Sequence, residues 1–290
     1  MFLINQLKGE FTMKKAIIVP NYLKEESVSF SKTATEILIK NGYEVSVLTE
    51  HEMPKESADF ALVLGGDGTL LRACKKMCTV DTPVLGINFG NLGYLTECNP
   101  DSAIDAIESI VNGKYNIENR LLIEGEIIRG DKSVCSFVAL NEAAFYRSSL
   151  LKAFSLEIYI NGSLTQTAVG DGFIVATPTG STSYNMSAGG PVLTPTANNM
   201  VLTPVSPKYY PRSSIVIGGG DQLEIRVNVN SITKVGNPSL QIDGENAIDI
   251  YDGDVVRIKR HNQYAKIIKV TERSFYQVLS KKLSKATFDL

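Results

Sequence analysis

The first 120 residues alternate short apolar runs with segments whose apolar positions recur three and four residues apart. The short runs are rich in β-branched residues and have the length of buried strands, whereas the other spacing is that of amphipathic helices. The predicted strands are 15–19, 43–48, 60–64 and 83–87, and the predicted helices are 25–41, 69–78 and 99–112. Alternation of strands and helices predicts a parallel sheet with helices on its faces.

The pattern changes after about Arg120, where many short β-rich runs are separated by turn signals such as Asn161-Gly162 and Asp243-Gly244. This spacing is typical of an antiparallel β domain, and we expect it to be sandwich-like. The predicted strands here are 121–128, 133–140, 155–160, 172–176, 214–217, 222–229, 238–242, 247–251, 254–260 and 264–270.

A last segment with helical spacing, 272–285, is expected to pack back on the first domain. The predicted division is therefore an α/β domain at 13–120, a β-rich domain at 121–271 and a returning C-terminal helix at 272–290. We see no long linker between the two domains, so we expect them to share a substantial interface, where ligands often bind.

Composition narrows the possible functions. Of the 290 residues, 43% are hydrophobic and 21% are charged, and the formal net charge is −2, which argues against a nucleic-acid partner held by bulk electrostatics. No apolar run approaches the length of a membrane span, and residues 1–12 lack a signal-peptide core, so they are interpreted as an extension or tail before a natural start at Met13. The four cysteines form no C-x-x-C pair, which argues against structural zinc and fits a reducing cytoplasm.

The chemistry is concentrated first in residues 65–69, Gly-Gly-Asp-Gly-Thr, between an apolar strand and a predicted helix. Glycines tolerate positive φ and leave room for a bulky anion, and the start of a helix points free N–H groups at such a ligand. Asp67 is well placed to act on a hydroxyl or a metal. The alternative is an ordinary tight turn with Asp67 as a turn or capping residue. Two glycines before the aspartate, together with the flanking elements, favour phosphate chemistry.

A second segment, 177–191, follows the predicted strand 172–176 and is so rich in Ser, Thr and Gly that we expect it to be too polar for the core. Hydroxyl and backbone donors in such a loop can bind a sugar or phosphate, with Tyr184 available to stack, although a solvated surface loop is the alternative. Three weaker signals are Asn141-Glu142 at a strand end, Gly170-Asp171-Gly172, and Tyr94 in the glycine-punctuated stretch 86–95. The sequence contains neither a P-loop nor a G-x-G-x-x-G dinucleotide motif.

Together these five segments stand in the order and spacing of the NAD kinases, and the chain resembles that family over about residues 14–275. The Gly-Gly-Asp-Gly-Thr element also occurs in phosphofructokinases and in diacylglycerol and sphingosine kinases, whereas the 177–191 segment is highly specific. The resemblance implies transfer of the ATP γ-phosphate to the 2′-hydroxyl of the adenosine ribose of NAD, which gives NADP. It also implies a divalent cation, usually magnesium, and a homodimer or homotetramer built through the β-rich domain.

The resemblance assigns roles to individual residues. Asp67 matches the catalytic carboxylate, which accepts the 2′-hydroxyl proton or orients that hydroxyl for in-line attack; Gly68 packs against the dinucleotide and Arg72 lies near phosphates. The other binding residues are Asn141 and Glu142 at the ribose and adenine, Thr182, Ser183, Tyr184 and Ser187 around the adenosine, Asp171 at the nicotinamide end from the same or a neighbouring subunit, Tyr94 as an aromatic wall, and Lys152 as a phosphate partner.

Some positions depart from the usual family pattern, among them Val169, Ser183 and Glu245, and they leave open the phosphate donor and the preference for NAD or NADH. Two alternative functions remain at this point. One is a lipid or sugar kinase that uses the same Gly-Gly-Asp-Gly-Thr element, and the other is a dinucleotide sensor without turnover.

Overall fold

The structure, a computed structural model, describes residues 13–90, 93–147, 154–209, 212–228, 237–245 and 247–288. The predicted tail at 1–12 and the predicted phosphate partner Lys152 lie outside the described residues. The helices are α1 (Glu25–Lys40), α2 (Asp67–Met77), α3 (Ala103–Val111), α4 (Tyr184–Ser187) and α5 (Phe275–Phe288). The strands are β1 (Lys14–Pro20), β2 (Tyr43–Val47), β3 (Phe60–Gly65), β4 (Val84–Asn88), β5 (Asn116–Arg129), β6 (Lys132–Ala139), β7 (Glu142–Tyr146), β8 (Phe154–Ile160), β9 (Ser163–Gly170), β10 (Gly172–Ala176), β11 (Asn199–Val205), β12 (Ile215–Gly218), β13 (Leu223–Asn228), β14 (Ser239–Ile242), β15 (Ile248–Asp249) and β16 (Val255–Lys269).

The predicted parallel sheet of the first half is confirmed. Strands β1 to β4 lie in the order β2-β1-β3-β4, all parallel, with Ala16 opposite Phe60 and Leu62 opposite Leu85. Every residue of β3 is buried, as a near-continuous apolar run in a parallel sheet requires. The carboxyl ends of these strands share one edge, which is where α/β folds place their ligands.

This sheet continues into the second half of the chain, because β16 pairs in parallel with β4 at Ile267 and Val84. Beyond β16 the same sheet runs through β13, β8 and β9, and β16 also pairs with β5, which pairs with β6. The division at residue 120 remains a prediction, and that position lies inside β5. The two strands predicted at 254–260 and 264–270 are one strand, β16, with a register shift between Arg260 and Tyr264.

The predicted antiparallel sandwich is also confirmed. A second sheet has the order β12-β11-β10-β7-β14-β15 and is antiparallel throughout. A shared apolar core that includes Phe145, Phe173, Ile225 and Ile258 joins it to the outer half of the first sheet. Strand β7, which begins at Glu142, and strand β10, which begins just after Asp171, therefore belong to a well-buried layer.

The C-terminal helix returns to the first half, as predicted. Lys282 of α5 places its ammonium 4.5 Å from the ring centre of Tyr94, and Arg273 donates to the carbonyl oxygen of Thr96 at 3.4 Å. Just before this helix, the carboxylate of Glu97 accepts bonds from the backbone amides of Val270 and Thr271. Within the described ranges, no helix is long and apolar enough to cross a membrane.

Candidate active site

The Gly-Gly-Asp-Gly-Thr segment forms the predicted turn from strand to helix. β3 ends at Gly65 and α2 begins at Asp67. None of Gly65, Gly66 and Gly68 has a positive φ, so the expectation that glycine serves the backbone conformation here is wrong. The reason is space: a Cβ on Gly65 would lie 2.7 Å from the Cβ of Thr69, so only glycine allows the helix to pack this closely on the strand.

The carboxylate of Asp67 is held by a loop almost thirty residues further along the chain. Its Oδ2 accepts the backbone N–H of Tyr94 at 2.6 Å, and its Oδ1 accepts the N–H groups of Leu95 and Thr96 at 3.1 and 3.2 Å. A Cβ on Gly93 would lie 1.8 Å from Oδ1, so glycine is required there as well. Three amides occupy about three of the four acceptor positions of a carboxylate, and the half-buried side chain is thereby fixed in orientation.

Arg72 lies beside this turn, one helical turn beyond Gly68. If Gly68 carried a Cβ, that atom would lie 3.8 Å from Nη1 of Arg72. The guanidinium of Arg72 donates to the carboxylate of Glu50 through Nη2 at 2.6 Å and through Nε at 3.2 Å. Glu50 therefore fixes the side chain of Arg72 next to the Asp67 turn.

Asn141 and Glu142 form the turn between β6 and β7, and Asp243 holds that turn in place. The Oδ1 atom of Asp243 accepts the N–H groups of Asn141 and Glu142 at 2.7 and 3.1 Å, and Oδ2 accepts that of Leu140 at 3.0 Å. Oδ2 also lies 3.2 Å from the ammonium of Lys75 on α2. The sequence alone shows Asp243 only as part of a turn, because the backbone amides that it accepts lie about a hundred residues away.

Glu142 is a buried carboxyl group, and one of its two oxygens has no hydrogen-bond partner within the described residues. The hydroxyl of Ser183 donates to Oε1 at 3.3 Å, whereas Oε2 has no hydrogen-bond partner within the described residues. Burial raises the pKa of Glu142 to about 7, the nearby charge of Asp243 adds to the increase, and the Ser183 hydroxyl opposes it. A buried acceptor of this kind suits a ligand that brings a hydroxyl donor.

The segment 177–191 is more buried than its polarity suggested. The four side chains of Thr177, Thr179, Ser181 and Asn185 are buried. They form hydrogen bonds within the segment, such as that from the amide of Asn185 to the carbonyl of Pro191 at 3.0 Å, and also to residues outside it, such as that from the hydroxyl of Thr203 to Asn185 at 2.6 Å. The expectation that the segment is too polar for the core is therefore wrong for these four residues. The predicted binding residues Thr182, Ser183 and Tyr184 are partly exposed and Ser187 is exposed, which leaves them accessible to a ligand.

The predicted residues are arranged along β7. Ser183 meets Glu142 at one end, and the ring of Tyr184 stacks on Tyr146 with centres 5.6 Å apart. At the other end, Arg147 and Asp171 form an ion pair at 3.1 Å. Five residues of extended chain span about 17 Å, so Asp171 lies far from Glu142. Tyr146 and Arg147 escaped sequence analysis because only the sheet register brings them beside Tyr184 and Asp171.

Helix α2 connects the two regions. Asp67 is its first residue, and Lys75, which reaches Asp243, is eight residues or about 12 Å further along the axis. The ring of Tyr94 lies under Lys282 of α5, and its backbone supports Asp67.

Neither metal clusters nor open clefts identify the site. No group of three or more His, Cys, Asp or Glu side chains that could hold a metal ion occurs in the part of the chain that the structure describes. A cleft of about 970 Å³ lies over β5, β13 and β16, where Phe137, Glu224 and Arg257 line it, and it contains none of the predicted site residues. We therefore identify the site from side-chain chemistry and contacts.

A fixed carboxylate at a strand-to-helix turn, combined with amide, hydroxyl and aromatic groups along β7 of the second sheet, suits a phosphotransferase. Family models agree: residues 17–115 match the ATP-NAD kinase N-terminal domain and residues 140–270 match the ATP-NAD kinase C-terminal domain. The chain belongs to the NAD kinase family.

Relatives support this assignment over almost the whole chain. The chain is 33% identical to the NAD kinase of Caldanaerobacter subterraneus subsp. tengcongensis over 287 residues, which cover 94% of this chain and 99% of that protein. It is 35% identical to the NAD kinase of Carboxydothermus hydrogenoformans over 257 residues, which cover 87% and 90%.

Two solved structures have the same fold. Yeast NADH kinase complexed with NADH matches with a TM-score of 0.81 at 20% identity, over 94% of this chain and 88% of that one. An NAD kinase from Archaeoglobus fulgidus in complex with ATP matches with a TM-score of 0.70 at 24% identity, over 94% of this chain and 99% of that one.

Proposed function

We propose that this protein is an NAD kinase that transfers the γ-phosphate of ATP to the 2′-hydroxyl of the adenosine ribose of NAD and releases NADP and ADP. The observation that carries the proposal is the Asp67 carboxylate, which amides of residues 94–96 hold in one orientation at the carboxyl edge of the parallel sheet. Phosphoryl transfer depends on positioning more than on covalent chemistry by the protein, so a fixed acceptor is the appropriate catalytic group.

In the proposed mechanism, Asp67 accepts a hydrogen bond from the 2′-hydroxyl and aims the oxygen at the γ-phosphorus. The oxygen forms the new P–O bond while the bond to the β-phosphate oxygen breaks, and Asp67 takes the hydroxyl proton. The three amides neutralise part of the carboxylate charge but leave about one acceptor position for the hydroxyl. Gly68 leaves room for the substrate beside this position, and Arg72 provides a nearby positive charge.

The acceptor is proposed to bind along β7. Asn141 and Glu142 recognise the ribose and adenine, and the unpartnered Oε2 of Glu142 accepts a ribose hydroxyl. Thr182, Ser183, Tyr184 and Ser187 surround the adenosine, and the stacked pair Tyr146–Tyr184 provides a flat apolar surface. Asp171, about 17 Å away along the strand, is proposed to contact the nicotinamide end in the same subunit or in its neighbour.

We also propose Mg²⁺ as the divalent cation. Magnesium commonly binds through substrate phosphates and one or two carboxylates, which fits a chain whose described residues contain no larger cluster of metal-binding side chains. The ion would enter with ATP, bound by its phosphates, and would neutralise charge on them. We further propose a homodimer or homotetramer in the cytoplasm.

The test is a phosphotransfer assay with ATP and Mg²⁺ and four acceptors: NAD, NADH, diacylglycerol and fructose 6-phosphate. We expect phosphate on NAD or NADH and none on the lipid or sugar, with the product identified as NADP(H) by a dehydrogenase that requires it. Phosphorylation of the lipid or sugar alone would support the other kinases that share the Gly-Gly-Asp-Gly-Thr element. Tight binding of NAD without turnover, with ATP and with polyphosphate, would support a sensor.

A further inference from the structure

The carboxylate of Asp243 has a role that its place in an Asp-Gly turn does not suggest. Its side chain is completely buried, and it accepts three consecutive backbone amides, those of residues 140–142. Its own backbone N–H donates to the carbonyl oxygen of Glu142 at 2.9 Å. Four hydrogen bonds thus fix the turn that presents Asn141 and Glu142.

The same carboxylate reaches across to the first half of the chain. Its Oδ2 lies 3.2 Å from the ammonium of Lys75, a side chain that is only 14% exposed. Lys75 belongs to α2, the helix that begins with Asp67. A buried charge is costly unless it is paired and hydrogen-bonded, so removal of either partner disturbs the other.

We propose that Asp243 and Lys75 are a positioning pair: Asp243 sets the backbone of the Asn141–Glu142 turn, and Lys75 ties that turn to the helix that carries Asp67. The pair therefore controls the position of the NAD-binding groups relative to the catalytic carboxylate. This inference rests on the proposed NAD kinase activity, because its kinetic consequence requires NAD as the acceptor.

The charge of Asp243 also acts on Glu142. The groups that face Glu142 are Asp243 after β14, Ser183 and Tyr184 from the 177–191 segment, and Tyr146 on its own strand. The charge of Asp243 raises the pKa of Glu142, so a neutral residue at 243 lowers that pKa. A substitution that only destabilised the fold would not move this titration.

The experiment compares the wild-type protein with Asp243→Asn and Lys75→Met in steady-state kinetics and in calorimetric NAD binding across pH 5.5–9. We expect both variants to lower kcat/KM for NAD on the order of 10- to 100-fold, because displaced binding groups lose the reactive geometry, while KM for ATP changes less than about threefold. In Asp243→Asn the pH midpoint of NAD binding moves below the wild-type midpoint. In the double variant, kcat/KM for NAD should fall about as far as in either single variant, because the two groups act as one unit.

The matched control is Asp254→Asn. Asp254 is also a buried aspartate in a turn, and it accepts the guanidinium of Arg129 at 2.9 and 2.8 Å and the amide of Tyr251 at 2.9 Å. We expect this control to lower thermal stability but to keep the wild-type KM for NAD and the wild-type pH midpoint. If Asp254→Asn changed the NAD kinetics as much as Asp243→Asn, the effect would be general destabilisation and the proposal would be wrong.

Hydrogen exchange at residues 140–142 provides a readout that does not depend on activity. Faster exchange in Lys75→Met and Asp243→Asn, but not in Asp254→Asn, is expected. If both variants fold and keep the wild-type hydrogen exchange, NAD binding and pH midpoint, the inference is wrong. If Asp243→Asn does not fold, the same measurements on Lys75→Met decide the question. A wild-type protein without NAD phosphorylation would instead contradict the proposed function, and exchange would still test whether the pair fixes the turn.

Discussion

Two turns in this molecule have the same hydrogen-bonding arrangement, in which a carboxylate accepts three consecutive backbone amides from a distant loop. Asp67 holds residues 94–96, and Asp243 holds residues 140–142. They differ in surroundings: Asp67 is half-buried, whereas Asp243 is fully buried and paired with Lys75. The difference in solvent exposure therefore matters: the carboxylate of Asp67 can reach a substrate, whereas that of Asp243 can only position its neighbours.

The largest expected effect on stability concerns the buried turn. Asp243→Asn removes a charge from three amides and leaves Lys75 with an exposed partner, Glu245, at 2.9 Å. We expect a loss of about 2–4 kcal/mol in the free energy of unfolding, measured by urea denaturation at pH 7.5. Asp67→Asn should lose less than about 1 kcal/mol, because its carboxylate is partly solvated. Equal losses would remove the distinction between the two turns.

The second prediction concerns the loop that holds Asp67. Gly93→Ala places a methyl group where Oδ1 of Asp67 lies, so either the carboxylate or the loop must move. We expect kcat to fall about 100-fold while the affinity for NAD, measured by calorimetry, stays within about threefold. Gly220→Ala is the control in kinetics, because Gly220 lies after β12, where an added Cβ meets no atom within 4 Å and the backbone φ is not positive. Wild-type turnover in Gly93→Ala would mean that the orientation of Asp67 does not limit the reaction.

The third prediction concerns pH. The pKa of Glu142 is raised to about 7, first by burial and then by Asp243, so the folded state favours the protonated carboxyl. The resulting contribution to stability is complete below the unfolded pKa of 4.5 and is lost as the pH rises through about 7. Glu142→Gln should therefore be about 3 kcal/mol more stable than the wild type at pH 8 and show little of this gain at pH 5. Urea denaturation at the two pH values checks this, and an equal effect at both would contradict it.

The smallest expected effect concerns the stacked rings. Tyr184→Ala removes a ring that lies 5.6 Å from Tyr146, and the loss of this aromatic surface should raise KM for NAD about tenfold. Tyr184→Phe keeps the ring and should stay within about threefold of the wild type. If Tyr184→Ala kept the wild-type KM, the proposed adenosine position along β7 would be wrong.

Sequence patterns predicted the parts of the fold that depend on local order. The apolar run before Gly65 predicted a buried strand, and the alternation around it predicted the parallel sheet. Local patterns did not show that β16 joins β4, because one parallel contact at Ile267 and Val84 creates the continuous sheet. Nor did they show that the runs at 254–260 and 264–270 form one strand, because a bulge interrupts the apolar pattern.

The candidate site shows the same limit. Asp67, Glu142 and Ser183 follow from short motifs, and the structure brings the last two into contact. No motif predicts Asp243 and Lys75, because their proposed role depends on contacts between residues more than sixty positions apart. A single sequence shows which side chains carry chemistry more readily than it shows which side chains hold them.

The most direct measurement is the single-turnover transfer of phosphate from ATP–Mg²⁺ to NAD bound to Asp67→Asn. The control is Asp81→Asn, a surface position with a φ of 55° that asparagine tolerates well. We expect Asp67→Asn to fold and bind NAD like the wild type but to transfer phosphate at least about a thousandfold more slowly, while Asp81→Asn keeps the wild-type rate. Transfer by Asp67→Asn within about tenfold of the wild-type rate would mean that Asp67 is not the catalytic carboxylate.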